Sequence, residues 1–157
     1  MNERARTLIE TLALTRLDGE GGYFRRFHTF YSESHQESGS TILYLMTHRD
    51  FSRMHRLKSD EVWVFLDGSP MEMLTLDSDG SHALTTLGRA SDGRCPIATV
   101  KAGQWQASRP IEAEGWSLCA ATMVPAWDEA TFTLAAEEDL APYVTCPHLS
   151  RFIGGGR

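Results

Sequence analysis

Between Gly22 and Trp127 the chain keeps returning to short apolar runs of strand length: TILYLMT, EVWVFL, MEMLTL, IATV and WSLCAATMV. They are rich in β-branched, aromatic and aliphatic residues and too short for stable helices. HRD, DGSP, DSDG, SDGR and EAEG separate them, each a cluster of residues that favour turns. Many short strands joined by tight turns can bury their apolar sides only as an antiparallel sandwich or barrel. ILYLM and VWVFL are apolar on both faces, so those strands need cover on two sides. The interior of a barrel would supply one cover, and a helix or a partner subunit the other.

The flanking segments read differently. Ala5, Leu8, Ile9, Leu12 and Ala13 recur at offsets of three and four, which predicts a short amphipathic helix over Asn2 to Leu14. LDGEGGYF follows as a glycine-rich turn, where Gly21-Gly22 suit positive φ. The tail after Ala135, with EEDL, PYV and CPHL, reads as a helical or irregular appendage ending in a flexible GGGR. The expected organisation is one domain over 1–157: helix and turn over 1–19, barrel over 20–134, C-terminal extension over 135–157.

Charge and cysteine usage narrow the function classes. Fifteen Lys and Arg against 21 Asp and Glu give a net charge of -6, which argues against a nucleic-acid partner because such binding rests on clustered cations. Cys95, Cys119 and Cys146 are odd in number and form no CxxC pair, as expected of reduced thiols in a cytoplasmic protein. No apolar run is long enough to cross a bilayer and the N-terminus lacks a signal-peptide core, so no membrane association is expected.

Two segments carry candidate chemistry. FSRMHRLKSDEVWVFLDG sets His55 ahead of Asp60-Glu61 and closes on Gly68; strand alternation puts Glu61, Trp63 and Phe65 on one face. VKAGQWQASRP reads as a strand entering a glycine turn, with Trp105-Gln106 beyond it. Together they resemble the two motifs of the cupins: Gly, five residues, His-x-His, three or four residues, Glu, six residues, Gly; then Pro-x-Gly-x-x-His. His55, Glu61 and Gly68 match the first motif and Gly103 the second, while Leu57 and Gln106 stand where further histidines occur, Arg49 replaces the opening glycine and Lys101 the proline. The blocks EGGYF, STILYLMT, DFSRMHRLKSDEVW, GQWQASRP and VPAWD resemble more narrowly the fifth cupin family, described as predicted sugar epimerases. Against that family's pattern, Arg26 and Phe27 stand in place of Glu and Thr, and Val64 in place of His.

The resemblance implies an all-β cupin barrel of jelly-roll type, a homodimer, a small-molecule substrate and a site inside the barrel. Two chemistries are open there. In the first, His55 is a general base, Glu61 its orienter or a second carboxylate, and Tyr44 or Tyr23 the proton donor of a metal-independent isomerase or epimerase acting on a small polar, sugar-like metabolite. In the second, His55, Glu61 and Gln106 hold a divalent ion (iron, manganese, nickel or zinc) for an oxygenase or lyase reaction. A non-catalytic module whose pocket binds a ligand without turning it over is the third reading; His55 and Glu61 as a hydrogen-bonded structural pair at the barrel mouth is the plainer reading of those two residues. Trp63, Trp105 and Trp127 are candidate stacking surfaces, and Arg25, Arg53 and Gln106 candidate polar contacts to the ligand.

Overall fold

The structure, a computed structural model, describes residues 1–153, and the GGGR terminus expected to be flexible lies outside them. Helix α1 (Glu3–Thr11) is followed by β1 (Thr15–Arg16), β2 (Tyr23–Tyr31), β3 (Glu37–Thr47), β4 (Ser52–Leu57), β5 (Glu61–Gly68) and β6 (Met71–Leu76). Then come β7 (His82–Leu87), β8 (Ile97–Val100), β9 (Trp105–Pro110), β10 (Trp116–Met123), β11 (Phe132–Leu134) and α2 (Glu137–Leu140). Two antiparallel sheets result, one ordered β1-β2-β3-β10-β5-β8 and the other β11-β4-β9-β6-β7. The all-β fold is the expected one, and no helix is long and apolar enough to cross a membrane.

Period-two alternation sorts the side chains between the sheets from those outside them. On β6, Met71 and Met73 join the central core with Tyr44, Met46, Trp63, Phe65 and Cys119, while Leu74 and Leu76 belong to a separate cluster on the other face. Strand β3 splits likewise, Tyr44 and Met46 facing inward and Leu43 and Leu45 packing with the N-terminal helix. Both faces of these strands are therefore dry, which is why ILYLM and MEMLTL carry so few polar residues.

The outer cover comes from the chain's own ends. Helix α1, started by the Asn2 side chain accepting from the Arg4 amide at 2.9 Å, lays Ala5, Leu8, Ile9 and Leu12 over Leu45 and Leu118. The C-terminal extension presses Tyr143, Cys146, Leu149 and Phe152 onto Met54, Leu74, Leu76, Trp105 and Ala107. Polar ties fasten it: Tyr143 donates to the Asp77 carbonyl at 2.9 Å, and Arg151 reaches the buried Glu72 carboxylate at 3.0 Å.

Strands β2, β4, β7, β9 and β11 escaped the sequence-based reading because their residues are polar or mixed. SRMHRL is half-polar, yet Ser52 and His55 are among its buried residues, since the space they face is not filled with hydrocarbon. The turn at Gly103 is entered from β8, as expected, and the segment beyond it is itself a strand, β9.

Phe152 is 1% exposed at the centre of the outer cluster. Phe152→Ala is expected to destabilise the fold by about 3–5 kcal/mol through lost burial and the cavity left behind, read as the shift in a urea unfolding curve.

Candidate functional site

One cavity of about 260 Å³ opens between the sheets, lined by residues from the Leu17–Glu20 turn, the inner faces of β2, β3, β4, β5 and β10, and the segment from Trp127 to Phe132. The turn is held in place by two glycines. Gly21 and Gly22 both have positive φ, and a Cβ on Gly22 would sit 2.6 Å from the Tyr44 hydroxyl. The close approach lets Tyr44 donate to the Gly21 carbonyl at 2.6 Å and Asp50 accept from the Gly22 amide at 3.0 Å. Glu20 is thereby fixed at the cavity wall.

His55 is 2% exposed and stacks on Phe132, ring centroids 5.4 Å apart. Its Nδ1 lies 2.8 Å from the Arg53 carbonyl. A carbonyl only accepts, so Nδ1 carries the proton and Nε2 of the neutral ring is a lone pair. Nε2 has no partner among the described residues, and the ring lines the cavity. Glu20 stands on the Nδ1 side, Oε1 at 3.8 Å, and accepts from Ser52 Oγ at 2.7 Å.

Glu61 and Trp63, two apart on β5, both point inward as alternation requires. Gln106, opposite His55 in the β4–β9 pairing, completes a closed triangle with them. Its Nε2 donates to Glu61 Oε2 at 2.6 Å, and Trp63 Nε1 donates to the same oxygen at 3.0 Å and to Gln106 Oε1 at 3.1 Å. An indole N–H only donates and a carboxylate only accepts, so the amide has one possible orientation. Burial raises the Glu61 pKa above its ordinary value, aided by the Glu20 charge and opposed by His55 and the two donors. Burial, then Glu20, likewise pushes the Tyr44 hydroxyl well up.

The cavity thus gathers His55, Glu61, Tyr44, Trp63 and Trp127 from among the residues singled out in the sequence. Gln106 sits behind Glu61 and Trp63. The other candidates lie elsewhere. Trp105 faces the C-terminal cover, with the Arg56 guanidinium 4.4 Å above its ring, because it alternates with Gln106 on β9. Tyr23 packs with the α1 cluster and lines a separate depression of about 200 Å³. Arg25 is exposed on β2, out of phase with Phe24 and Arg26, which do line the cavity. Arg53 donates through Nε to the Glu20 carbonyl at 3.3 Å and so braces that turn from outside the cavity.

Glu20, Arg26 and Phe132 were missed. The EGGYF block contained Glu20, and alternation from Phe24 would have found Arg26. Phe132 arrives from a distant strand and left no local signal.

A transition-metal site of the motif's kind draws on three imidazoles and a carboxylate, and these positions supply one imidazole, one carboxyl and one amide. Gln106 spends its oxygen on Trp63, and Leu57, where a second imidazole would stand, offers none. Among the described residues no three His, Cys, Asp or Glu side chains are grouped to hold an ion. Of the His55, Glu61 and Gln106 set expected from the motif, the Gln106 oxygen is taken by Trp63 in this structure.

Solved structures share this architecture. A protein from Shewanella oneidensis superposes with a TM-score of 0.84 at 25% identity over 97% of this chain and 98% of that one. A hypothetical protein from Leishmania major gives 0.75 at 24% identity, covering 94% and 96%. Bacillus subtilis oxalate decarboxylase gives 0.58 at 14% identity, over 77% of this chain and 30% of that one. No curated protein matches the chain by sequence. The family model described as "Cupin superfamily (DUF985)" matches residues 6–135, most of the helix, the whole barrel and the cavity just described, and the chain belongs to that family.

Proposed function

We propose that the cavity binds a small polar, sugar-like metabolite and moves a proton on it, as an isomerase or epimerase working without a metal. The observation that carries this reading is the Nδ1 contact to the Arg53 carbonyl, which leaves the His55 Nε2 lone pair as a base at the cavity wall. Glu61 is its counterpart: a carboxyl with raised pKa holds its proton to higher pH and can donate it. For a carbon beside a carbonyl, the C–H bond breaks, its proton passes to Nε2, and the electron pair moves onto the carbonyl oxygen. That oxygen takes the Glu61 proton. Reversal from the altered geometry returns both protons and leaves the isomer.

Tyr44 fits the donor role poorly, since its proton is committed to Gly21 and its pKa lies well up. Its part in this scheme is to hold the glycine turn and wall the cavity.

The same proposal includes a homodimer. Beyond Phe24, β2 has no strand on its outer edge among the described residues, and Phe27, Phe30 and Tyr31 stand 65%, 44% and 62% exposed there. An open edge bearing aromatics is a template for pairing with a second copy. Sedimentation equilibrium is expected to show a dimer that Phe27→Lys shifts toward monomer; a wild-type monomer at high concentration would remove this part.

Proton exchange into deuterated solvent, followed by NMR on small sugars, tests the chemistry. His55→Ala is expected to lower exchange by about a hundredfold or more while costing only about 1–2 kcal/mol of stability. Ligand binding without exchange in the wild type would leave a binding module instead.

Glu61 also makes a stability prediction. Its folded pKa is raised, so its contribution is fully present below the ordinary carboxyl value of 4.5 and is lost as pH rises through the folded value. Glu61→Gln has no proton to lose. The variant is expected to gain in Tm relative to wild type as pH rises from acid to neutral, measured by thermal melts across that range; parallel curves would contradict the assignment.

A further inference from the structure

We propose that the cavity selects a single-ring polyhydroxylated ligand carrying a protonated amine and turns away phosphorylated or nucleotide-linked ones, an inference that rests on this cavity being the reactive site. Size is the first reason. About 260 Å³ lies below the usual span of ligand pockets, roughly 300–1,000 Å³, and has room inside for one substituted ring, so an attached nucleotide would have to lie across the acidic mouth.

Charge is the second reason. Glu20 stands inside the cavity and Asp18 and Glu129 at its exposed mouth, against one cation among the described lining residues, Arg26. That guanidinium is already engaged. It lies 3.6 Å from Glu37 and within 3.5 Å of the Trp127 carbonyl. A phosphate entering here would meet carboxylates at the mouth and find no free arginine fork inside. Carboxylates around a low-dielectric cleft focus a negative potential that concentrates cations and repels anions.

The unpartnered groups are the third reason. His55 is 2% exposed, yet its Nε2 meets no protein group among those described, and Glu61 Oε1 is likewise unpaired beside the doubly held Oε2. Neither is sealed in the interior: both residues line the cavity, so a ligand placed there can meet these two free atoms. One acceptor lone pair and one carboxyl oxygen match the hydroxyl and ammonium donors of an amino sugar. Trp127 and Phe132, ring centroids 6.4 Å apart, supply faces for the ring and for a cation.

Calorimetric titration of the full chain with D-glucosamine, D-glucose and D-glucose 6-phosphate isolates the charge, since the three share one ring size. At low salt and mildly acidic pH, where the amine is protonated, glucosamine is expected to bind about tenfold tighter than glucose, and the phosphate at least about tenfold weaker than glucose. Glu20→Gln, and independently Asp18→Asn at the exposed mouth, are expected to compress that order, as is added salt. Equal affinities, tighter binding of the phosphate, or no measurable binding of glucosamine at tens of millimolar would overturn the proposal. The titration does not read proton exchange. The expected charge order without exchange keeps this inference and removes the epimerase reading; exchange with the opposite order does the reverse.

Discussion

The contact on which the site depends is the hydrogen bond from Gln106 to Glu61, because it ties the two sheets together in the middle of the molecule. Glu61 belongs to the sheet of β3, β10 and β5, and Gln106 to the sheet of β4, β9 and β6. Such a bond is worth more in a dry interior than at the surface, and losing one partner would strand a buried polar group. The indole N–H of Trp63 closes the triangle, so neither the carboxyl nor the amide can rotate freely. One Glu61 oxygen is fully used, and the other is left for a ligand. The same contact therefore sets the sheet spacing, orients the only inward carboxyl of β5 and removes Gln106 from the ligand list.

His55 is fixed by a different means, and the contrast is instructive. Its orienting partner is a backbone carbonyl two residues away on the same strand, aided by a ring stacked on Phe132. A carbonyl cannot change protonation state, so the tautomer holds whatever happens to neighbouring carboxyls. Glu61, by contrast, sits where burial penalises its charged form. An imidazole with a fixed free lone pair and a carboxyl that resists ionisation are two groups pushed toward opposite tasks. Leu57 completes the division by lining the cavity with hydrocarbon where a second imidazole would sit, which keeps the surroundings of that carboxyl apolar.

What could be read from the chain followed the physics of each element. The strands TILYLMT, MEMLTL and WSLCAATMV were visible because both their faces are largely dry, and apolar composition reports dryness. EVWVFL was visible by the same composition, yet the two-sided cover expected of it is not there, since Val62 and Val64 are half-buried and Leu66 is 45% exposed. Strands β2, β4 and β9 were not visible, because they carry Arg26, His55 and Gln106 inward and so break the rule that inside means apolar. Within VWVFL, alternation placed Glu61 and Trp63 together. The same rule applied to YFRRF would have chosen Arg26 over Arg25, and applied to WQASRP would have sent Trp105 and Gln106 to opposite faces. Phe132 comes from a segment far from the motifs and Glu20, though inside the EGGYF block, lies far along the chain from His55; only the closed sheet brings them together.

Strands β3 and β6, apolar on both faces, also required a cover, and the chain itself supplies it. Helix α1 and the C-terminal extension each seal one outer face, Leu45 with Leu118 on one side and Trp105 with Leu74 on the other. With the faces occupied from within, the exposed apolar surface of β2 is confined to its edge and far end, at Phe27, Phe30 and Tyr31. Arg26 stands on this same strand and lines the cavity, held to the Trp127 carbonyl. A partner strand added along β2 would restrain the strand that carries Arg26, and Arg26 in turn is tied to the loop bearing Trp127. Association and ligand recognition would then share one strand, and displacement at the edge would be felt at Arg26, the one cation among the described residues lining the cavity.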